Sequence, residues 1–116
     1  MKRTTAVMAA LIALSCPLVF AQDALSYGLK SQQLLAEDAR VRVIRFAPQP
    51  GDKTPIHSHP PYVVYVVKGG KMKYTMPDGT TSVSEIKAGQ VFIKPAVTHS
   101  DEAIDAVETI IVELKQ

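Results

Sequence analysis

The chain has 116 residues, a formal net charge of +2, and a hydrophobic share of 47%. That length accommodates one domain with one core and leaves no room for a second. The near-neutral charge speaks against an electrostatic role on nucleic acid or anionic membrane, and a single cysteine excludes a disulfide within the chain.

The first residues read as a secretory leader. Lys2 and Arg3 make a basic start, Ala6 to Leu14 an apolar stretch, and Val19-Phe20-Ala21 places small residues where a signal peptidase cuts, so cleavage is expected after Ala21. The apolar run from Ala6 to Phe20 is interrupted by Ser15, Cys16 and Pro17 and falls short of the roughly 18–20 residues that cross a bilayer. The mature protein is therefore expected to be soluble, periplasmic or secreted, with no membrane association after cleavage. Cys16 lies inside the leader, so the mature chain has no thiol. Leu14-Ser15-Cys16 is only a faint lipid-attachment pattern, because Ala13 stands where a larger aliphatic residue belongs. Loss of Lys2 and Arg3 also brings the basic residues into balance with the 11 acidic ones.

Beyond the leader, Gln22 to Lys30 is polar with little periodicity and reads as a mobile arm, and Ser31 to Asp38 fits either one or two helical turns or an edge strand. From Val41 the pattern becomes short β-rich runs separated by turn residues: Val41 to Phe46, Tyr62 to Val67, Lys71 to Met76, Thr81 to Ile86, Val91 to Lys94 and Val107 to Leu114. Gly69-Gly70 predicts a tight hairpin-like turn, Pro77-Asp78-Gly79 a second turn and Ala88-Gly89 a third. Lys71, Lys73 and Thr75 alternate with Met72, Tyr74 and Met76, which predicts one wet and one packed face. Val63 to Val67 is apolar on both faces, as expected for a strand between the interior and a second surface such as another subunit, so a homodimer is expected. Arg40, Arg42 and Arg45 read as a solvated strand face. The expected organisation is a leader over 1–21, an N-terminal arm over 22–40 and an all-β domain over 41–116, an antiparallel sandwich or barrel.

His57 and His59 sit two apart ahead of the strand at Tyr62, and residues two apart in extended backbone point to one face, so both imidazoles reach a single ion. His99 stands at a loop-to-strand junction much later in the chain. Imidazole is the commonest protein ligand for zinc, copper, nickel and iron. By itself His-Ser-His reads more readily as ordinary surface or core histidines, and its surroundings change that weighting. Gly51 is followed after five residues by His57-Ser58-His59 and later by Gly70; Gly89 is followed after five residues by Pro95 and then His99.

This arrangement resembles the two motifs of the cupin superfamily, and the resemblance covers essentially the whole chain from Val41 to Leu114. It implies a jelly-roll β-barrel whose first motif contains Gly51, His57, His59 and Gly70 and whose second contains Gly89, Pro95 and His99. Cupins usually add a glutamate to the first motif, where this chain has Val63 or Val64, neither of which binds metal. The resemblance therefore implies one divalent ion (iron, zinc, nickel, copper or manganese) held by His57, His59 and His99, a ligand set similar to that of the iron-dependent thiol dioxygenases of the superfamily. The second motif departs as well: Val97 replaces a usual glycine, the path from Pro95 to His99 is one residue short, and Ala103 lies near the expected asparagine. Asp101, on the face of His99 if the strand continues, is a candidate fourth ligand or an acceptor for an imidazole N–H, against the plainer reading of a solvated loop carboxylate beside Glu102.

Tyr62, Tyr65, Met72, Tyr74 and Met76 read first as core. Lys94, beside Pro95 at the expected mouth, fits the attraction of an anionic substrate or simply a solvated charge. No phosphate loop, nucleophile elbow or glycosidase-type carboxylate pair is visible, and no catalytic residue is assigned. Two functions fit: a metal-dependent, dioxygenase-like enzyme acting on a small molecule, or a module that binds a metal or small metabolite without turnover.

Overall fold

The computed structural model describes residues 22–116; the expected leader, its cleavage site and Cys16 lie outside the described residues. Strands take 61% of those residues, which places the chain in the all-β class. They are β1 Gln22–Asp23, β2 Gln32–Glu37, β3 Val41–Phe46, β4 Lys53–His59, β5 Tyr62–Lys68, β6 Gly70–Thr75, β7 Thr81–Ile86, β8 Val91–Lys94, β9 Val97–Ala103 and β10 Glu108–Leu114, with a 3-10 turn over Ala24–Tyr27. Two five-stranded sheets result, one in the order β1-β4-β9-β6-β7 and the other β2-β3-β10-β5-β8. All pairings among them are antiparallel except that of β1 with β4.

The β-branched runs of β3, β5 and β10 fill the middle of the second sheet, where half-buried pleated surface suits them. Along β3, Ile44 and Phe46 point inward, and Val66 does so from β5. Met72, Ala103 and Val107 meet Phe46 between the sheets, with Tyr74, Ile86 and Ile111 packed around them. Burying Ile44, Val66 or Met72, each at most 1% exposed, stabilises the fold by about 1.5–3 kcal/mol apiece.

The two sheets face each other but do not close into the expected barrel. Closure would need both pairs of edges to join, β7 with β8 and β1 with β2. The four residues of β8 instead pair with β5, from Tyr62↔Lys94 to Tyr65↔Val91, and the two residues of β1 both pair with β4.

Gly69-Gly70 does not form a hairpin either, because β5 and β6 belong to different sheets and the chain crosses between layers there. The reason for glycine is close approach: a Cβ on Gly69 would lie 2.4 Å from the Ile86 carbonyl oxygen, so any side chain collides with backbone. Pro77-Asp78-Gly79 does form the β6–β7 hairpin. Gly79 has φ 88°, and the Met76 and Thr80 backbones close the turn at 2.8 Å.

Where a mobile arm was expected over Gln22 to Lys30, β1 pairs with β4, and the Tyr27 hydroxyl donates to the Ile56 carbonyl. Residues 32–37 adopt the edge-strand alternative, pairing with β3.

Candidate metal centre

Two strands absent from the sequence reading carry the histidines. β4 is read poorly because Pro55 interrupts it and its buried residues are polar: Thr54, His57 and His59. Thr54 and His57 are three apart, so strict alternation would send them to opposite faces. A bulge between them resets the phase, as Thr54 pairs with Asp101 and His57 with His99. Proline has no N–H to lose from a ladder and is tolerated at such an irregularity. β9 continues through His99 and Asp101, which alternate inward with Ala103.

The register sets His57 directly opposite His99. The ring centroids of His57 lie 4.7 Å from those of both His59 and His99, and one ligand nitrogen from each of the three residues falls within 4.8 Å of the others. All three side chains are buried.

Their tautomers follow from their neighbours. His57 Nδ1 lies 2.7 Å from the Pro55 carbonyl oxygen and His59 Nδ1 lies 2.6 Å from Glu113 Oε2. A carbonyl and a carboxylate only accept, so both Nδ1 atoms donate and Nε2 is the atom each ring offers to a metal. Those two Nε2 atoms stand 3.0 Å apart. Burial lowers the pKa of His57, the His59 charge adds to this, and the Pro55 carbonyl opposes it. Burial, with His57 and His59, pushes His99 down to about 3. At neutral pH His57 and His99 are therefore held neutral, the form that binds metal. Two Nε2 atoms at 3.0 Å are held by a shared proton or by a cation bound to both, and the donor set fits a divalent ion.

Glu113 and Arg42 were missed in the sequence, and Arg42 corrects the reading of a solvated strand face. Glu113 is 1% exposed and Arg42 13%. They are cross-strand neighbours on β10 and β3; Arg42 Nε donates to Glu113 Oε1 at 2.7 Å, and Arg42 Nη1 reaches Asp23 Oδ2 at 2.6 Å. The chain Asp23–Arg42–Glu113–His59 thus runs from the N-terminal strand to the cluster, and the hydrogen bond at its end fixes the orientation of the His59 ring. The available signal was alternation, since Glu113 shares a face with Thr109 and Ile111, and Arg42 with Ile44 and Phe46. Arg40 is exposed as expected, and Arg45 pairs with Glu108.

Burial would raise the pKa of Asp23, but hydrogen bonds from Arg42 and the Leu25 N–H outweigh it and hold it below 3.8. A depressed carboxylate contributes stability that is fully present above its unfolded value and is lost as pH falls through its folded one. The Leu25 amide resonance, whose N–H lies 2.9 Å from Asp23 Oδ1, is therefore expected to titrate with a midpoint below 3.8. A midpoint at or above that value would show that Arg42 does not hold Asp23 in solution.

The imidazoles border a cavity of about 560 Å³ between the sheets, lined also by Tyr62, Val64, Met72, Tyr74, Met76 and Lys94. Val64 faces inward, into this cavity. Tyr74 stacks on His99 at 5.4 Å and Tyr62 lies 4.9 Å from His59. Burial raises the pKa of both phenols, so they are proton donors at neutral pH. Tyr65 is not core but half exposed on the outer face. Lys94 Nζ lies 5.2 Å from the Phe92 ring centroid. Asp101 is not a solvated loop carboxylate, since its side chain is 8% exposed. Burial pushes its pKa up to about 6, with the Thr54 hydroxyl opposing the shift.

No family model matches the sequence, and no curated protein matches it. Solved structures do match. A cupin domain from Bordetella pertussis superposes with a TM-score of 0.67 at 22% identity, covering 84% of this chain and 98% of that one. A cupin superfamily protein from Desulfitobacterium hafniense gives 0.58 at 16% identity over 73% and 76%. An RmlC-like cupin from Desulfovibrio desulfuricans gives 0.54 at 18% identity over 72% and 79%. At these identities the likeness establishes the fold.

Proposed function

We propose that this chain, which has the cupin fold and a buried cluster of three imidazoles, is an exported protein that holds one divalent metal ion through His57, His59 and His99 and acts on a small molecule admitted to the cavity. The observation that carries this reading is the 3.0 Å approach of two Nε2 atoms whose Nδ1 partners both accept hydrogen bonds. A bound ion would supply Lewis acidity and, if iron or copper, one-electron chemistry of the dioxygenase kind. The protein's own groups suit a polar substrate: Tyr62 and Tyr74, held protonated, donate to a substrate oxygen, and Lys94 draws an anionic group toward the cavity.

The test is metal content by plasma mass spectrometry on mature, untagged protein beside His57→Ala, His59→Ala and His99→Ala. Near-stoichiometric iron, zinc, nickel, copper or manganese is expected in the parent and none in the variants; no metal after reconstitution would overturn the reading. Oxygen uptake by iron-loaded protein with thiols and small acids then separates an enzyme from a module that binds without turnover.

The reading includes a homodimer. The outer face of the second sheet carries Val63, Tyr65 and Val67 beside Val91 and Ile93, and Ile93 on the edge strand is 84% exposed. A contiguous apolar patch on an open sheet edge favours self-association. Light scattering is expected to give twice the chain mass and to fall to the monomer in Ile93→Glu. A monomeric parent would remove the proposal.

A further inference from the structure

The geometry points to Asp101 as a fourth donor of this centre, a carboxylate delivered from β9 in place of the one missing at Val63 and Val64. The inference rests on the three-histidine reading and extends it. Asp101 follows His99 by two residues on the same face of β9 and pairs with Thr54 across the bulge. Its Oδ2 lies 3.8 Å from His57 Nε2, too far for a hydrogen bond. Two donors each about 2.0–2.2 Å from one ion are at most about twice that far apart, so 3.8 Å fits a cation shared with His57. Asp101 lies outside the group of donors within 4.8 Å of one another, so its carboxylate completes the set by rotating toward the ion.

The second oxygen of Asp101 is buried and has no hydrogen-bond partner among the described residues. The Thr54 hydroxyl serves the same carboxyl group, but a carboxylate oxygen removed from water without a partner is costly, and a cation beside it removes that cost. Charge balance points the same way. Asp23 and Glu113 share the single charge of Arg42, and Glu85, which also lines the cavity, is exposed. That leaves one negative charge against a divalent ion on three neutral imidazoles, and Asp101 is the buried carboxylate that supplies the second. An oxygen donor in the set favours manganese, iron or zinc over softer copper(I).

Cobalt(II) is the probe, titrated into the mature chain and into Asp101→Asn, with far-ultraviolet circular dichroism confirming the fold. The expected result is an altered visible ligand-field spectrum in Asp101→Asn, with cobalt affinity reduced beyond the roughly 10–100-fold that loss of an outer-shell group costs. An unchanged spectrum, whatever the affinity, would overturn the inference and leave three histidines. Should Asp101→Asn not fold, infrared difference spectra of the parent labelled with ¹³C-aspartate decide: a shifted aspartate carboxylate band on cobalt binding supports it, and no shift overturns it. A parent chain that binds no cobalt would overturn both this inference and the reading beneath it.

Discussion

Replacing Glu113 by alanine is expected to destabilise the fold by about 3–5 kcal/mol, the cost of breaking a buried ion pair from one side. The effect is large because the carboxylate, 1% exposed, serves two buried groups. One oxygen accepts from Arg42 Nε at 2.7 Å and the other from His59 Nδ1 at 2.6 Å. Truncation leaves a guanidinium away from water with only Asp23 to meet it, and frees His59 to rotate or change tautomer. Urea denaturation followed by circular dichroism measures the loss. A double variant, Glu113→Leu with Arg42→Met, separates the two roles: removing both charges restores most of the stability, because an apolar replacement of a buried pair is often neutral or stabilising. It does not restore metal affinity, because His59 still lacks its acceptor. A cost below about 1 kcal/mol in Glu113→Ala, the range of solvent-exposed pairs, would show that water reaches this pair and that it does not orient the imidazole.

Metal loading is expected to raise the melting temperature by roughly 10–20 °C. Free metal at a hundredfold excess over Kd stabilises the native state by about 2.7 kcal/mol, and each kcal/mol moves Tm by about 4–8 °C in a domain of this size. The structural cause lies at His57 and His59: their buried Nε2 atoms already stand 3.0 Å apart, so an ion gains two bonds with little rearrangement of the rings. A chelator should reverse the increment, and His57→Ala, His59→Ala and His99→Ala should each abolish it. The same shift in all three variants would place the bound metal elsewhere on the chain.

The strands that sequence patterning located and those it missed differ in one respect. β3, β5, β6, β8 and β10 were read within a residue of their ends, because apolar side chains alternate along them or fill them, and β7 was read from the turns that bound it. β4 and β9 were missed because the residues they bury are Thr54, His57, His59, His99 and Asp101. Polar groups on an inward face look like a loop when the rule equates inward with apolar. The strands bearing the chemistry were thus the ones hidden from it, and Pro55 at the bulge hid β4 further. Arg42 was misplaced for a related reason. Arginine reads as solvent-facing, and only the carboxylate opposite it on β10 makes its burial favourable.

Local chemistry in the sequence determined the all-β class, the turn at Pro77-Asp78-Gly79, the shared face of His57 and His59 and, through the motif resemblance, His99 as their companion. These follow from side-chain alternation and turn preferences that act over a few residues. The tertiary structure alone decided that His99 lies opposite His57, that Glu113 reaches His59 across 54 positions of sequence and Arg42 across 71, and that the sheets stay open. It also decided that the chain crosses between layers at Gly69 rather than turning back. Strand register and layer assignment depend on which distant segments pair, and residues dozens of positions apart leave no periodic trace of one another in the chain.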